Sequence, residues 1–399
     1  MPQTNDFSEV SFLSGSAQTV AKMAHIPSLP VFSEQVIEFL ASLSKRLVKA
    51  DRTYPDVISL GFWCRKASIL NMAENYAGNK LRFGKGIAFH ISPSNVAVNF
   101  AYSLISGLLA GCKNIVRLPS KKFRQVDMIV NEINDLLIND YTFLAEYICL
   151  IRYPSDCGAT DTFSSICDER IIWGGNKTIA AIRKSPLKPR AGELTFADRV
   201  SAVLINADRY LKNYNKNEIA EKFWNDTFLT DQNACTSPII VVWTGSEIDN
   251  AKSLFWTDFE KVAAEKYSIG GAQAVGKLHA AYKAAIVFEN VKIQNTGGNI
   301  ITRVHIDKIP ADLSDYKYNS GFFYETEVQS LDEITTLCDE ELQTITYIGF
   351  EASDIIQWLN KTVPIGIDRV VPVGNSMDFS LIWDGFDLIS EMSRIKTVQ

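Results

Sequence analysis

Asp231-Gln232-Asn233-Ala234-Cys235-Thr236-Ser237-Pro238 runs directly into Ile239-Ile240-Val241-Val242-Trp243-Thr244-Gly245. A short polar turn, stopped by a proline and feeding an apolar β-branched run, predicts a buried strand with a cysteine held at its mouth. That position makes Cys235 a candidate nucleophile. The plain alternative is a half-buried thiol that packs as a small hydrophobe.

Upstream of this turn the pattern alternates between strand and helix. Ile87-Ala88-Phe89-His90-Ile91 reads as a strand, Ser92-Pro93-Ser94-Asn95 as a turn, and Val96 to Ala110 as a helix with small residues at Ala101, Ser106 and Gly107. Asn114-Ile115-Val116-Arg117-Leu118-Pro119-Ser120 supplies the next strand, so the unit is a βαβ crossover. Val126 to Leu137 and Lys177 to Arg183 read as helices, and Leu144 to Tyr153 and Arg170 to Asn176 as strands. Ser33 to Val48, capped by Ser33, and Pro55 to Asn75 are helical, while residues 1 to 30 read as an irregular lead-in.

Downstream of Cys235 the alternation resumes. Helices are expected at Ser253 to Tyr267, Gln273 to Ala285, Ser330 to Cys338 and Ser353 to Leu359, and strands at Ile300 to Ile306, Phe322 to Val328 and Leu342 to Phe350. The fold class is therefore α/β, with two doubly wound domains. The expected divisions are residues 1–230 for a lead-in and dinucleotide-binding domain, 231–365 for a catalytic domain, and 366–399 for a C-terminal return segment. That tail, with Phe379-Ser380-Leu381-Ile382-Trp383, is too apolar for a free linker and is expected to pack back or at an oligomer interface.

The 399 residues are 46% hydrophobic and 22% charged, with a net charge of −6. Basic residues cluster only briefly, at Lys121, Lys122 and Arg124 and at Arg183, Lys184, Lys188 and Arg190, which argues against a nucleic-acid partner. Tyr102 to Cys112 is too short for a membrane span, and no secretory signal is visible, so a cytoplasmic protein is expected. The seven cysteines are scattered without a C-x-x-C pair, and the four histidines are dispersed. No metal site is expected.

No G-x-G-x-x-G is present. Trp173-Gly174-Gly175-Asn176 offers another way to bring a phosphate against backbone N–H groups at a helix start, although a Gly-Gly pair also makes an ordinary tight turn. Taken in order, Phe89 to Asn95, Asn114 to Ser120, Trp173 to Asn176, Asp231 to Cys235 and Asp378 to Gly385 resemble the acyl-CoA reductases of the bacterial bioluminescence fatty acid reductase system (LuxC-type), a branch of the aldehyde dehydrogenase superfamily.

The resemblance implies an acyl-cysteine mechanism. Cys235 stands where that superfamily has its nucleophile, and Asn95 where it has the amide that polarises the acyl oxygen. Gly174 and Gly175 match the turn facing the cofactor pyrophosphate, and Ser120 with Lys121 the loop meeting the adenosine ribose. Ser92, Pro93 and Arg117 are further cofactor-side candidates. The basic cluster at Lys121 favours NADPH over NADH. Acyl-CoA or another acyl thioester is the implied substrate, an acyl-activating synthetase the implied partner, and a homo-oligomer the implied assembly.

Two departures stand out. Leu118 occupies the place of a usual lysine, and the general-base glutamate of hydrolytic relatives finds only Glu193 in its region. The expected activity is NADPH-dependent reduction of an activated acyl group to an aldehyde. The alternatives are a CoA-acylating aldehyde dehydrogenase running oxidatively, and a non-catalytic acyl-transfer subunit.

Overall fold

Ile87–Ile91 is buried at all five positions, as a strand covered on both faces must be. The computed structural model describes residues 7–76, 78, 81–308, 313–335 and 338–398. The chain divides into two units, Met1–Ala197 with Phe379–Gln399, and Asp198–Asp378.

The first unit contains β1 (Ser11–Ser14), β2 (Leu81–Gly84), β3 (Ile87–Ile91), β4 (Lys113–Arg117), β5 (Ile148–Arg152), β6 (Glu169–Trp173) and β7 (Gly192–Phe196). All but β2 form one sheet in the order β1-β5-β4-β3-β6-β7, parallel except for the edge strand β1. Because β4 and β5 lie on one side of β3 and β6 and β7 on the other, the winding reverses at β3. Open α/β sheets bind ligands outside the carboxyl ends of the strands at such a switch point.

The helices follow from apolar spacing. Arg124–Asn139 buries Val126, Ile129, Val130, Ile133, Leu136 and Leu137, one stripe of an amphipathic helix. Asn99–Leu109 is buried nearly all round. It lies tight on the sheet because Gly107 has no Cβ, which would come within 2.0 Å of Asn114 Oδ1.

The second unit contains β8 (Val200–Asn206), β9 (Pro238–Thr244), β10 (Lys292–Asn295), β11 (Thr302–His305), β12 (Phe322–Glu327), β13 (Leu342–Ile348) and β14 (Arg369–Pro372). They form one sheet in the order β10-β11-β12-β9-β8-β13-β14, parallel except at β10. Strand β9 is central and wholly buried. Glu325 of β12 is tolerated inside because Trp243 Nε1 and Trp256 Nε1 both donate to its Oε1, at 2.9 and 2.6 Å.

The two-domain α/β expectation holds, but the boundaries move. The division expected after residue 230 falls after Ala197, because Val200–Asn206 pairs with β9 and β13 and so belongs to the second sheet. The tail does pack back, beginning at Phe379 rather than 366. Phe379 stacks on Tyr102 with ring centroids 4.6 Å apart, and Ser393–Lys396 pairs with β2.

The lead-in is not irregular: it holds β1 and the helix Ala17–Met23. The expected helix Pro55 to Asn75 is two, Pro55–Trp63 and Lys66–Glu74. Of the helix expected at Ser330 to Cys338, Leu331–Ile334 is helical, and residues 336 and 337 lie outside the described residues, as do residues 1–6 of the lead-in.

Candidate active site

Cys235 lies in the loop entering β9, at the amino-terminal edge of the second sheet. Asp231 and Gln232 both adopt positive φ, 52° and 58°, which is unusual for residues with a side chain and turns the backbone sharply. Hydrogen bonding holds the turn in place. The buried Gln232 amide donates to the carbonyl oxygens of Pro238 (2.9 Å) and Phe322 (3.2 Å), and its Oε1 accepts from the N–H groups of Gly321 (2.9 Å) and Phe322 (3.2 Å). The Asp231 carboxylate accepts from Gln273 Nε2 at 3.0 Å and from the Tyr267 hydroxyl. Ser201 Oγ donates to the Cys235 carbonyl at 2.7 Å.

A second loop supports this one. Asp226 is buried and accepts from the N–H groups of Gly374 (2.6 Å) and Ser376 (2.9 Å), and burial pushes its pKa up to about 6. Arg369 donates to the carbonyls of Ser376, Asn375 and Asp378. Met377, held between these anchors, accepts from Thr236 Oγ1 at 3.5 Å, next to Cys235.

Burial separates Cys235 from most other cysteines. Cys64, Cys112, Cys149, Cys167 and Cys338 are buried, and desolvation raises each thiol pKa, for instance to about 11 at Cys112 and about 12 at Cys149. Cys235 and Cys157 alone are half-buried, and only Cys235 sits in a loop built around it. A thiol must reach both solvent-borne substrate and a base-accessible thiolate state to act as a nucleophile.

The remaining sequence candidates belong to the first unit and share one edge of its sheet. Ser92, Pro93 and Asn95 follow β3, Arg117 ends β4 and Ser120 and Lys121 follow it, and Gly174 and Gly175 follow β6. The loops are tied together: Ser92 N–H donates to the Arg117 carbonyl (3.1 Å), and the Ser94 and Ser120 hydroxyls lie 3.3 Å apart. Among the described residues Ser92 Oγ, which is buried, has no hydrogen-bond partner, at the switch point where a polar ligand group would satisfy it. The Arg117 guanidinium stacks over the Tyr153 ring at 4.4 Å and donates to the Tyr153 carbonyl.

Glu193 is engaged elsewhere. Its Oε2 accepts from Arg170 Nε (2.8 Å) and Nη2, and its Oε1 from Arg183 Nε (2.7 Å). Arg170 is itself buried, with its remaining N–H groups on Ser164 and on the carbonyls of Ile182 and Ser185. A carboxylate that accepts three hydrogen bonds from two guanidiniums is committed to them, which leaves it poorly placed to take a proton from water.

Sequence reasoning missed this clamp, and also the buried network around His90. Trp173 Nε1 donates to Ser103 Oγ (2.9 Å), so the Ser103 hydroxyl donates to His90 Nδ1 (2.7 Å) and His90 Nε2–H donates to Asn114 Oδ1 (3.0 Å). Burial lowers the His90 pKa to about 4, so the ring is neutral and fastens β3, β4 and β6 beneath the switch point. Among the described residues no group of His, Cys, Asp and Glu could hold a metal ion, and no helix is long and apolar enough to cross a membrane.

Solved aldehyde dehydrogenases share the fold. They include an NAD-dependent benzaldehyde dehydrogenase from Corynebacterium glutamicum, 13% identical with a TM-score of 0.65 over 95% of this chain and 87% of that one. A salicylaldehyde dehydrogenase from Pseudomonas putida G7 is 14% identical with a TM-score of 0.65 over 95% and 87%. PnpE in complex with nicotinamide adenine dinucleotide is 12% identical with a TM-score of 0.67 over 92% and 86%. At these identities the fold is what is shared. Among curated proteins none matches.

These findings correct the expectation of NADPH-dependent acyl reduction. Two of these three are aldehyde dehydrogenases by name, and the two with a named cofactor name NAD. The preference for NADPH rested on Lys121, Lys122 and Arg124, which are all exposed, and Lys121 Nζ lies over the Phe123 ring at 5.1 Å. They are solvated charges. Of the expected readings, the oxidative direction is the better supported. A family model described as acyl-CoA reductase (LuxC) matches residues 17–264, more than half of the sequence, and the chain belongs to that family.

Proposed function

We propose that the protein is an NAD-linked, CoA-acylating aldehyde dehydrogenase with Cys235 as its nucleophile. The observation that carries this reading is the clamped loop that holds a half-buried Cys235 at the mouth of β9 while five other thiols are sealed in the core. Bound NAD would accept a hydride. Ser92 and the Gly174-Gly175 turn, at the switch point of the first sheet, would hold its pyrophosphate, with Pro93, Arg117 and Ser120 beside them.

The Cys235 thiolate adds to the aldehyde carbonyl, forming a C–S bond and a tetrahedral oxyanion. That oxyanion needs a hydrogen-bond donor, the role the family resemblance implies for Asn95, and losing one such donor typically costs about a hundredfold or more in rate. Loss of hydride from the same carbon restores the carbonyl as a thioester. The CoA thiolate then adds to this carbonyl, and Cys235 leaves as thiolate, releasing acyl-CoA. Water is the competing acceptor, and the engaged Glu193 cannot activate it.

Intact-mass spectrometry tests the reading. Protein mixed with aldehyde and NAD should gain the acyl group on Cys235 and lose it as acyl-CoA when CoA is added, and Cys235→Ser should do neither. Free acid formed equally fast without CoA would point to a hydrolytic dehydrogenase, and absence of the adduct would remove the covalent mechanism.

For assembly the reading retains a second copy of this chain. The helix Gly271–Val287 exposes Val275, Leu278, Tyr282 and Ile286 along one side, an apolar stripe of the kind that marks an association surface. Light scattering should find a dimer or larger species, dissociated by Leu278→Glu with Ile286→Glu.

A further inference from the structure

The first unit contains a cavity at the opposite end of its sheet from the Gly174 turn. It has a volume of about 390 Å³ and opens where β3 and β4 begin, at Gly86, Ile87 and Lys113. The length of β3, five residues at about 3.3 Å each, separates it from the switch point. Its size falls at the low end of the about 300–1,000 Å³ found for small-molecule sites.

One wall is the helix Ala17–Met23 and its cap. Ala17, Val20, Ala21 and Ala24 line the cavity at the spacing of one helical face, and three of the four are alanines, whose small side chains leave the space open. Phe7, stacked on Phe163 with centroids 5.4 Å apart, and Ile166 extend the apolar surface.

The other wall is cationic. Lys85, Lys113, Lys188 and Arg394 line it, with Asp168 the one acidic member. The carboxylates nearby are committed: Asp168 accepts from Lys188 (2.7 Å) and from the Ile87 N–H (2.7 Å), and Glu169 pairs with Lys85 at 2.8 Å. Gly86, at φ 147°, makes room for this, since a Cβ there would fall 1.8 Å from Asp168 Oδ2. Two cations make no ion pair among the described residues. Lys113, 6% exposed, reaches only neutral acceptors, the Ile26 carbonyl at 3.3 Å and Ser28 Oγ at 3.5 Å, and Arg394 donates to the Lys85 carbonyl. Burying a cation is costly, and the carboxylate that acts on buried Lys113, Asp168, already serves Lys188, so a ligand anion between Lys113 and the exposed Arg394 would lower that cost.

We propose that this cavity binds a small amphipathic carboxylate, its head between Lys113 and Arg394 and its apolar tail along Ala17, Val20, Ala21 and Ala24. A bare inorganic anion would satisfy the cations and leave the alanine face wet, whereas an alcohol of the same length would do the reverse. The site is independent of the aldehyde chemistry, and its test uses no substrate turnover.

The full-length protein is titrated with sodium hexanoate, hexan-1-ol and inorganic phosphate by calorimetry and by thermal melting. Hexanoate should bind saturably and raise Tm, with the other two at least tenfold weaker. Arg394→Gln, at an exposed position, and Ala21→Leu, which fills the cavity from an exposed helical position, should each weaken hexanoate tenfold or more; Lys113→Met should do the same where it folds. Hexanoate binding unchanged in both Arg394→Gln and Ala21→Leu would put the ligand elsewhere. Phosphate binding as tightly as hexanoate, or no saturable hexanoate binding, would also overturn the assignment.

Discussion

The hydroxyl of Ser201 donates to the carbonyl oxygen of Cys235 at 2.7 Å, fastening the proposed nucleophile's own peptide to strand β8. Gln232, three residues before the thiol, makes four backbone hydrogen bonds, to β9, to β12 and to Gly321 just before β12. The two anchors should differ in their cost. Ser201→Ala removes one partially buried bond, a loss of about 1 kcal/mol in stability, while Gln232→Ala strands several buried backbone groups at about 1–3 kcal/mol each. Urea melts should rank Gln232→Ala well below Ser201→Ala. Both should slow acylation of Cys235 by more than their surviving folded fraction explains, and an acylation rate that merely tracks folding would reduce the clamp to a stability device.

The sequence made the turn that carries Cys235 and the crossover from Ile87 to Arg117 legible because each rests on local signals, a proline stop, a β-branched run and a glycine-bearing helix. What it concealed is non-local. Phe196-Ala197-Asp198-Arg199 joins the units without glycine or proline, so no composition break marks the boundary, and β8 declares its sheet only by pairing with β9 and β13. Glu193 looks like a candidate base until Arg170 and Arg183, 23 and 10 residues away, fold onto its two oxygens. Lys121 misled in the opposite way, because a cluster of lysines reads as a phosphate site whether or not anything encloses it.

His90 makes a pH prediction. Its folded pKa, about 4, lies below the unfolded 6.5, so between these values the unfolded chain binds more protons. The stabilisation is therefore complete above pH 6.5 and is lost as the pH falls towards 4, by at most about 3 kcal/mol. Asp226, in the second unit, has its pKa raised to about 6, so its contribution runs the other way, falling as the pH rises from 3.8 through 6. The His90 effect is thus read as a difference: wild type should lose its stability advantage over His90→Gln on acidification from pH 6.5 to 4. A constant difference would mean that the ring takes up a proton without disturbing the network.

Cofactor preference can be checked at Lys121. The side chain is exposed and lies over Phe123, so NAD should be the better cofactor, and Lys121→Ala should change KM for NAD by less than about fivefold, the most an exposed charge worth ~1 kcal/mol can do. Steady-state kinetics with both dinucleotides decides it. A preference for NADP that disappears in Lys121→Ala would restore the phosphate-binding role.

The clamp on Glu193 makes the last prediction, that the acyl group on Cys235 survives in water and is discharged by CoA. A thioester hydrolyses slowly at neutral pH unless a base within hydrogen-bond reach activates the water, and both Glu193 oxygens already accept from arginines. Glu193→Gln should therefore leave the lifetime of the adduct unchanged. Its cost should appear in stability instead, about 3 kcal/mol, because the buried Arg170 loses its counter-charge. Arg183→Ala, at an exposed arginine, frees Glu193 Oε1 without uncovering Arg170 and should not speed hydrolysis either. The adduct is formed from aldehyde and NAD, freed of small molecules and followed by mass with and without CoA. Rapid loss as free acid in wild type, slowed in Glu193→Gln and accelerated in Arg183→Ala, would show that the carboxylate reaches the site after all and that water, not CoA, is the acyl acceptor.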